Sequence, residues 1–180
     1  MISKNSSEII IHARVSLIHS LRRFPPLLFM IPFDGMKDRR VSKTMAKVKS
    51  ENTGPEILLR KKLWERGHRY RLHRASLPGK PDIVFVSLKV AVFVDGDYWH
   101  GRQWRLRGFK SLDDQLKNIN NKEYWKAKIE KNMARDREVN ARLKKAGWKV
   151  IRVWESDLKK NPRRAVDRIE RELEKRKRMK

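Results

Sequence analysis

Apolar and polar positions along the chain change period several times, and each change marks an element. Asn52-Thr53-Gly54-Pro55-Glu56 reads as a helix start, with Thr53 as N-cap, Pro55 in the first turn and Glu56 three residues after the threonine. The spacing predicts a helix to about Arg66, stopped by Gly67, with Ile57, Leu59, Leu63 and Trp64 as its apolar contacts. From His68 to Leu77 the residues alternate, which suggests an extended segment before the Pro78-Gly79 turn. Residues 82–86 and 90–94 are runs of Val, Ile and Phe joined by Ser87-Leu88-Lys89, the pattern of a tight antiparallel hairpin. The polar stretch after it, to about Asn121, reads as a long loop with little regular structure. Helical spacing returns from Lys122 to Ala146, with Trp125, Ile129, Met133 and Leu143 on the buried side and Gly147 as the stop. Trp148 to Trp154 alternates large apolar with basic residues and predicts a strand packed on a helix, and from Lys159 a charged helix is expected to act as an electrostatic arm. Helix, strand, hairpin, loop, long helix, strand and helix give an α/β layered domain whose functional residues gather at one end of the sheet.

The hairpin carries the candidate chemistry. Asp82 opens its first strand and Asp95 closes its second, so folding at the middle brings both carboxylates to the same end. Pro81 has no N–H to offer a ladder and suits the position just ahead of a strand. With His100 five residues beyond Asp95, the set can hold Mg²⁺ and move a proton. A turn aspartate and a hairpin-end aspartate without any metal explain the local pattern equally well. Glu56 likewise has a structural explanation, as the reciprocal partner in a capping box. His68 and His73 read as surface or DNA-backbone residues rather than ligands.

Charge narrows the partner. The 180 residues carry 46 Lys and Arg against 21 Asp and Glu, a formal net charge of +25, and such an excess repels itself unless a polyanion neutralises it. Nucleic acid is the expected partner ahead of an anionic membrane surface, since six Trp and six Phe argue for a packed core rather than a basic tail. Lys43 in the basic segment Ser42-Lys43-Thr44-Met45, Arg102, Arg105 and Arg107 after the hairpin, and Lys128, Lys131 and Arg135 on the long helix are candidate phosphate contacts. Cysteine is absent, which excludes disulfides, thiolate zinc sites and iron–sulfur clusters. No apolar run approaches the ~20 residues a membrane-spanning helix needs, so a soluble, cytoplasmic, nucleoid-associated monomer is expected. The division expected is a poorly structured extension over 1–41, a folded functional domain over 42–158 and a basic helix or tail over 159–180. The apolar clusters of residues 1–35 make a poor signal peptide; of a targeting arm, a docking segment and translated sequence upstream of a start at Met36, the last is favoured.

Several stretches together resemble the very-short-patch repair (Vsr) endonucleases, a branch of the restriction-endonuclease-like nucleases: SKTM at 42–45, PE at 55–56, LPGKPDIVF at 77–85, VFVDGDYWHG at 92–101, WKAKIEKNMARDRE at 125–138 and LKKAGWKVIRVWE at 143–155. The resemblance implies a mixed sheet flanked by helices and a Mg²⁺-dependent endonuclease that acts on double-stranded DNA and nicks one strand, in the family's best-known members 5′ of the T in a T:G mismatch. One or two Mg²⁺ ions, and mismatch-repair proteins as partners, come with it. By position, Asp82 matches the central metal carboxylate, Val94 a backbone carbonyl that helps hold metal, Asp95 a position of variable identity, His100 the general acid/base and Glu56 a supporting acid. Tyr98 and Trp99 match an aromatic wedge beside the mismatch, and Met45 an apolar wedge from the other groove; unstacking a step costs roughly a few kcal/mol, less at a mispair. Core packing is the ordinary alternative for the aromatic pair. The family's structural zinc ligands fall here on Asp97, Arg102, Trp104 and Ser156, so no structural zinc is expected, with Trp104 packing in part of its place, and the departure bears on the choice of target. A restriction, defence or mobile-element nuclease with another target, and a DNA-binding protein whose site has decayed, are the alternatives.

Overall fold

The computed structural model describes residues 51–179. Lys43, Met45 and the 1–41 extension lie outside them. Helix α1 (Gly54–Glu65) starts at Thr53, whose side chain accepts the Glu56 N–H, and ends at Gly67, where φ is +81° and the backbone closes Gly67 N–H onto Trp64 and His68 N–H onto Leu63. That double closure needs a left-handed residue, which glycine supplies without steric cost.

Strands β1 (Arg71–Leu72), β2 (Ile83–Phe85), β3 (Val90–Asp95) and β4 (Lys149–Trp154) form one four-stranded sheet in that order. The first three are antiparallel neighbours, with Ile83 opposite Val92 and Phe85 opposite Val90, while β3 and β4 run parallel. Parallel neighbours require a crossover. Here α2 (Gln103–Leu106), α3 (Leu112–Leu116) and the 24-residue α4 (Lys122–Lys145) make it. After β4 come α5 (Glu155–Lys160) and α6 (Pro162–Arg178).

The two faces of the sheet sort the strand residues by parity. Ile83, Phe85, Val90, Val92, Ile151 and Val153 pack with Leu59 and Leu63 of α1, Leu158 of α5 and Val166, Ile169 and Leu173 of α6. Ala91 and Phe93 pack with Val139 and Leu143 of α4 on the other side. A mixed sheet covered by helices on both faces is the restriction-endonuclease-like α/β arrangement expected from the sequence. Asp95 and Arg152 share the parity of Ala91 and Phe93, which aims them at α4. Gly79 and Gly101 let the loops on either side of the hairpin approach that helix: a Cβ at Gly79 would come within 2.7 Å of Val139, and one at Gly101 would collide with Met133.

Several expectations are corrected. The C-terminal helix is no separate arm, because Ala165, Val166, Ile169 and Leu173 recur at helical spacing and are buried in the main core; Val, Ile and Leu each contribute about 1.5–3 kcal/mol when fully buried. Ile57 and Trp64 are 52% and 55% exposed, since the inward stripe of α1 is Glu56, Leu59, Arg60 and Leu63; the Trp64 ring is instead covered by the Arg69 guanidinium at 3.8 Å. The stretch read as a loop holds α2 and α3, the latter capped by Ser111 and anchored by the buried Leu116. On α4, Val139 joins Ile129 and Leu143 in full burial, while Trp125 and Met133 are half-buried. Among the described residues no helix is long and apolar enough to cross a membrane.

Candidate active site

A cleft of about 860 Å³ opens where the N-terminus of α1, the hairpin's outer end and the middle of α4 meet, lined by Glu56, His73, Asp82, Val94, Asp95 and His100 among others. Asp82 stands just before β2. Its Oδ2 accepts the Val94 N–H at 2.7 Å, which locks the carboxylate to the neighbouring strand. Burial pushes its pKa up to about 6, against the pull of that hydrogen bond and with help from the negative charges of Glu56 and Asp95. Oδ1 lies 3.9 Å from His73 Nδ1. Glu56, His73 and Asp82 each place one potential ligand atom within 4.8 Å of the other two.

Glu56 reaches back to the start of its helix and also faces the cleft, but the backbone N–H it accepts is that of Asn52, one residue before the N-cap of the expected capping box: Thr53 Oγ1 donates to Oε1 at 2.8 Å, and the Asn52 N–H and Arg60 Nη2 donate to Oε2 at 3.0 and 2.8 Å.

A second group forms along β3, β4 and α4. Asp95 Oδ1 accepts from Arg152 Nη1 at 2.7 Å, and Arg152 Nη2 reaches Asp136 Oδ1 at 3.1 Å. His100 Nδ1 bonds Asp136 Oδ2. An ionised carboxylate only accepts, so His100 carries its proton on Nδ1 in this bond, and Nε2 is the atom able to take or give a proton. Burial alone would raise the Asp136 carboxyl, but the His100 hydrogen bond and the charges of His100, Arg152 and Arg135 outweigh it and hold it below the usual range. Burial raises Asp95, opposed chiefly by Arg152. Asp95 Oδ2 is buried without a hydrogen-bond partner. A lone buried acceptor in the same cleft as an Asp82 carboxylate that has, among the described residues, no guanidinium or ammonium on it fits a small, hard, oxygen-loving cation such as Mg²⁺.

Trp99 lines the cleft, and further aromatic rings pack around it outside the lining. Tyr98 and Trp99 meet edge to face at 5.1 Å, and Trp125 sits 6.2 and 5.9 Å from them, with the exposed Tyr124 beyond at 5.2 Å. Asn132 Nδ2 donates to the Trp99 carbonyl at 3.0 Å and ties this turn to α4. The turn is also fastened at Asp97, whose carboxylate accepts from the Ser156 N–H and hydroxyl at 3.0 and 2.9 Å. Arg102 grips Asp157 through both terminal nitrogens at 2.7 and 2.9 Å and lies over the Trp154 ring. Hydrogen bonds between Asp97 and Ser156 and between Arg102 and Asp157 brace this corner; the half-buried Trp104 ring is faced by Arg105 at 4.7 Å.

The structure therefore gathers Glu56, Asp82, Val94, Asp95, Trp99, His100, Lys128 and Arg135 on one cleft. Lys131 turns elsewhere, into a shallow depression with Glu130, Met133 and Arg137, because its offset from Lys128 carries it round the helix. Arg102 is committed to Asp157, and Arg105 lies outside the cleft. Sequence reasoning missed Asp136, Arg152, Arg60, Trp125 as part of the aromatic group, and His73 as a cleft residue. His73 was recoverable: continuing the pairing of Leu72 with Ile83 sets it opposite Asp82.

The chain resembles proteins of known kind. The family described as "DNA mismatch endonuclease Vsr" matches residues 33–106. The type II nicking enzyme V.NmeDIP of Neisseria meningitidis serogroup C is 43% identical over 136 residues, 76% of this chain and 87% of that protein. The type II nicking enzyme V.HpaIIP of Haemophilus parainfluenzae is 44% identical over 117 residues, 65% of this chain and 78% of its own length. The DNA mismatch endonuclease Vsr of Escherichia coli K12 is 36% identical over 118 residues, covering 66% of this chain and 70% of that enzyme.

Proposed function

The chain belongs to the Vsr family of DNA mismatch endonucleases and is a DNA-nicking endonuclease, and from that premise we propose that it uses Mg²⁺ to cut one strand of duplex DNA 5′ of the T in a T:G mismatch. Asp82, the Val94 carbonyl and Asp95 Oδ2 would hold the ion, with Glu56 supporting the charge of the site. Such an ion would supply Lewis acidity at the scissile phosphate. The observation that carries the reading is the His100–Asp136 pair on the same cleft as Asp82. His100 Nε2 takes the proton of the attacking water as the new P–O bond forms and one ester P–O bond breaks, while Asp136 holds the ring and stabilises its cationic form. Arg152 bridges Asp136 and Asp95 and so keeps the acid/base half and the metal half in register.

Recognition is assigned to the rim. Lys128 and Arg135 contact phosphates, and the Tyr98–Trp99–Trp125 rings press on a base step whose stacking a mispair has already weakened. Nicking of labelled duplexes that differ only in one T:G or C:G pair tests the reading; a rate insensitive to the mispair would defeat it.

A further inference from the structure

The cleft holds a cation without a partner. Lys80 lines it two residues before Asp82, and among the described residues its ammonium takes part in no ion pair or side-chain hydrogen bond. Six carboxylates line the same cleft: Glu51, Glu56, Asp82, Asp95, Asp136 and Glu155. Arg152, another cation there, is held by Asp95 and Asp136.

The backbone under Lys80 is unusual. The Leu77 N–H donates to the Arg74 carbonyl and the Lys80 N–H to the Leu77 carbonyl, both at 3.1 Å, so the segment between β1 and β2 winds through two successive turns. Gly79 lays it against Val139 of α4. Lys80 closes it at φ +47°, in the left-handed region. A residue with a Cβ is uncommon there, and a following proline drives its neighbour towards extended backbone. Glycine or asparagine would hold this turn at lower cost. A solvated surface lysine gives no reason to retain that strain, whereas a charge required at this spot does.

Position gives the charge its target. At 1.5 Å per residue the stretch of α4 from Lys128 through Arg135 to Val139 covers about 16 Å, roughly half of a 34 Å turn of B-DNA. Lys128 and Arg135 line the cleft from the helix, and Lys80 lines it from the loop laid on Val139. A duplex backbone following α4 therefore meets these three cations in sequence. Lys80 makes no ion pair with Asp82, so its charge is set beside that carboxylate rather than on it.

We propose that Lys80 binds a backbone phosphate next to the scissile one, as the loop-side end of a track begun by Lys128 and Arg135. This rests on the reading of the cleft as the DNA-cutting site. The contact is the same before and during cleavage and does not depend on base sequence, so its loss falls on KM rather than kcat, and on matched and mismatched duplexes alike.

Binding of labelled duplexes to full-length protein in EDTA, read by fluorescence anisotropy over a range of KCl, tests it. Each neutralised phosphate contributes about 0.9 to the slope of log K against log salt. K80N removes the charge and puts in a residue at home in the left-handed region, so it should melt no lower than wild type. Its slope is expected to be shallower by about 0.9, so that its deficit against wild type shrinks about 3.5-fold between about 50 and 200 mM salt, equally on T:G and C:G duplexes. K80G, which suits the same backbone, should match K80N, and K80R should bind as wild type does. Replacing single phosphates by neutral methylphosphonates should find one position beside the nick at which wild type loses affinity and K80N does not. A folded K80N or K80G with the wild-type slope would overturn the inference. So would a wild type whose binding no flanking methylphosphonate weakens, a result that needs no variant to fold. If Asp82→Asn still nicks, the reading of the cleft itself fails; if Asp82→Asn is inactive and the K80N slope is unchanged, only the role of Lys80 does.

Discussion

Asp82→Asn is expected to abolish nicking and at the same time stabilise the metal-free protein. The carboxyl's pKa rises from 3.8 to about 6, chiefly through burial, so the folded state holds this proton more tightly than the unfolded chain does. Below 3.8 both states are protonated and the group costs nothing; above about 6 both are ionised and the folded state carries the whole desolvation cost. Stability from this group therefore falls as pH rises through that window. At about 1.4 kcal/mol per tenfold change in proton affinity, the penalty comes to about 3 kcal/mol at neutral pH and about 1 kcal/mol near pH 4.5. With the side chain 16% exposed, solvent screening makes these upper limits. Asparagine keeps a carbonyl oxygen to accept the Val94 N–H and carries no charge. Urea unfolding in EDTA, followed by tryptophan fluorescence, should show the variant more stable than wild type at pH 7, with the gap narrowing by up to about 2 kcal/mol near pH 4.5. Mg²⁺ should then stabilise wild type and leave the variant unchanged. A variant that is less stable at pH 7, or whose advantage does not depend on pH, would refute the account of Asp82 as an uncompensated buried carboxylate kept for metal.

Other perturbations separate the remaining roles. Asp136→Asn should lower kcat about 100-fold, within the range proton-transfer groups contribute, with KM for DNA little changed and the pH–rate profile displaced; an unaltered profile would show that Asp136 does not act through His100. Trp99→Ala should cost about 1–3 kcal/mol of binding to a mismatched duplex, the scale of base–aromatic stacking, and less on a matched one, read by gel shift or fluorescence anisotropy. Ser156→Ala removes one of two hydrogen bonds on the buried Asp97 and should lower stability by about 1–3 kcal/mol, while a strong zinc chelator should leave the wild-type melting temperature where it was; a chelator-induced drop would mean that a metal, not this polar brace, holds the corner.

What the sequence made legible follows from where the signal is stored. The hairpin and its terminal acids are local, and two apolar runs joined by a short turn are enough to place Asp82 and Asp95 at one sheet end. Glu56 was visible through its capping spacing. The rest of the cleft comes from polar residues on inward stripes of distant elements, and burial pattern alone does not say which partner they meet. Asp136 falls on the α4 stripe that also contains Ile129 and Leu143, Arg152 on the α4-facing parity of β4, and Arg60 one turn from Glu56 on the buried face of α1. A charged residue in an apolar stripe signals a buried partner, and that signal was available for all three. The C-terminal helix misled in the opposite way, because its many charges hid the stripe of Ala165, Val166, Ile169 and Leu173.

The most direct test of the central claim is a strand-resolved nicking assay on otherwise identical duplexes carrying one T:G or one C:G pair, with and without Mg²⁺. The account predicts a single cut 5′ of the mispaired T, dependent on Mg²⁺ and lost in Asp82→Asn and His100→Ala. Equal cutting of the C:G duplex, or undiminished cutting by Asp82→Asn, would contradict it.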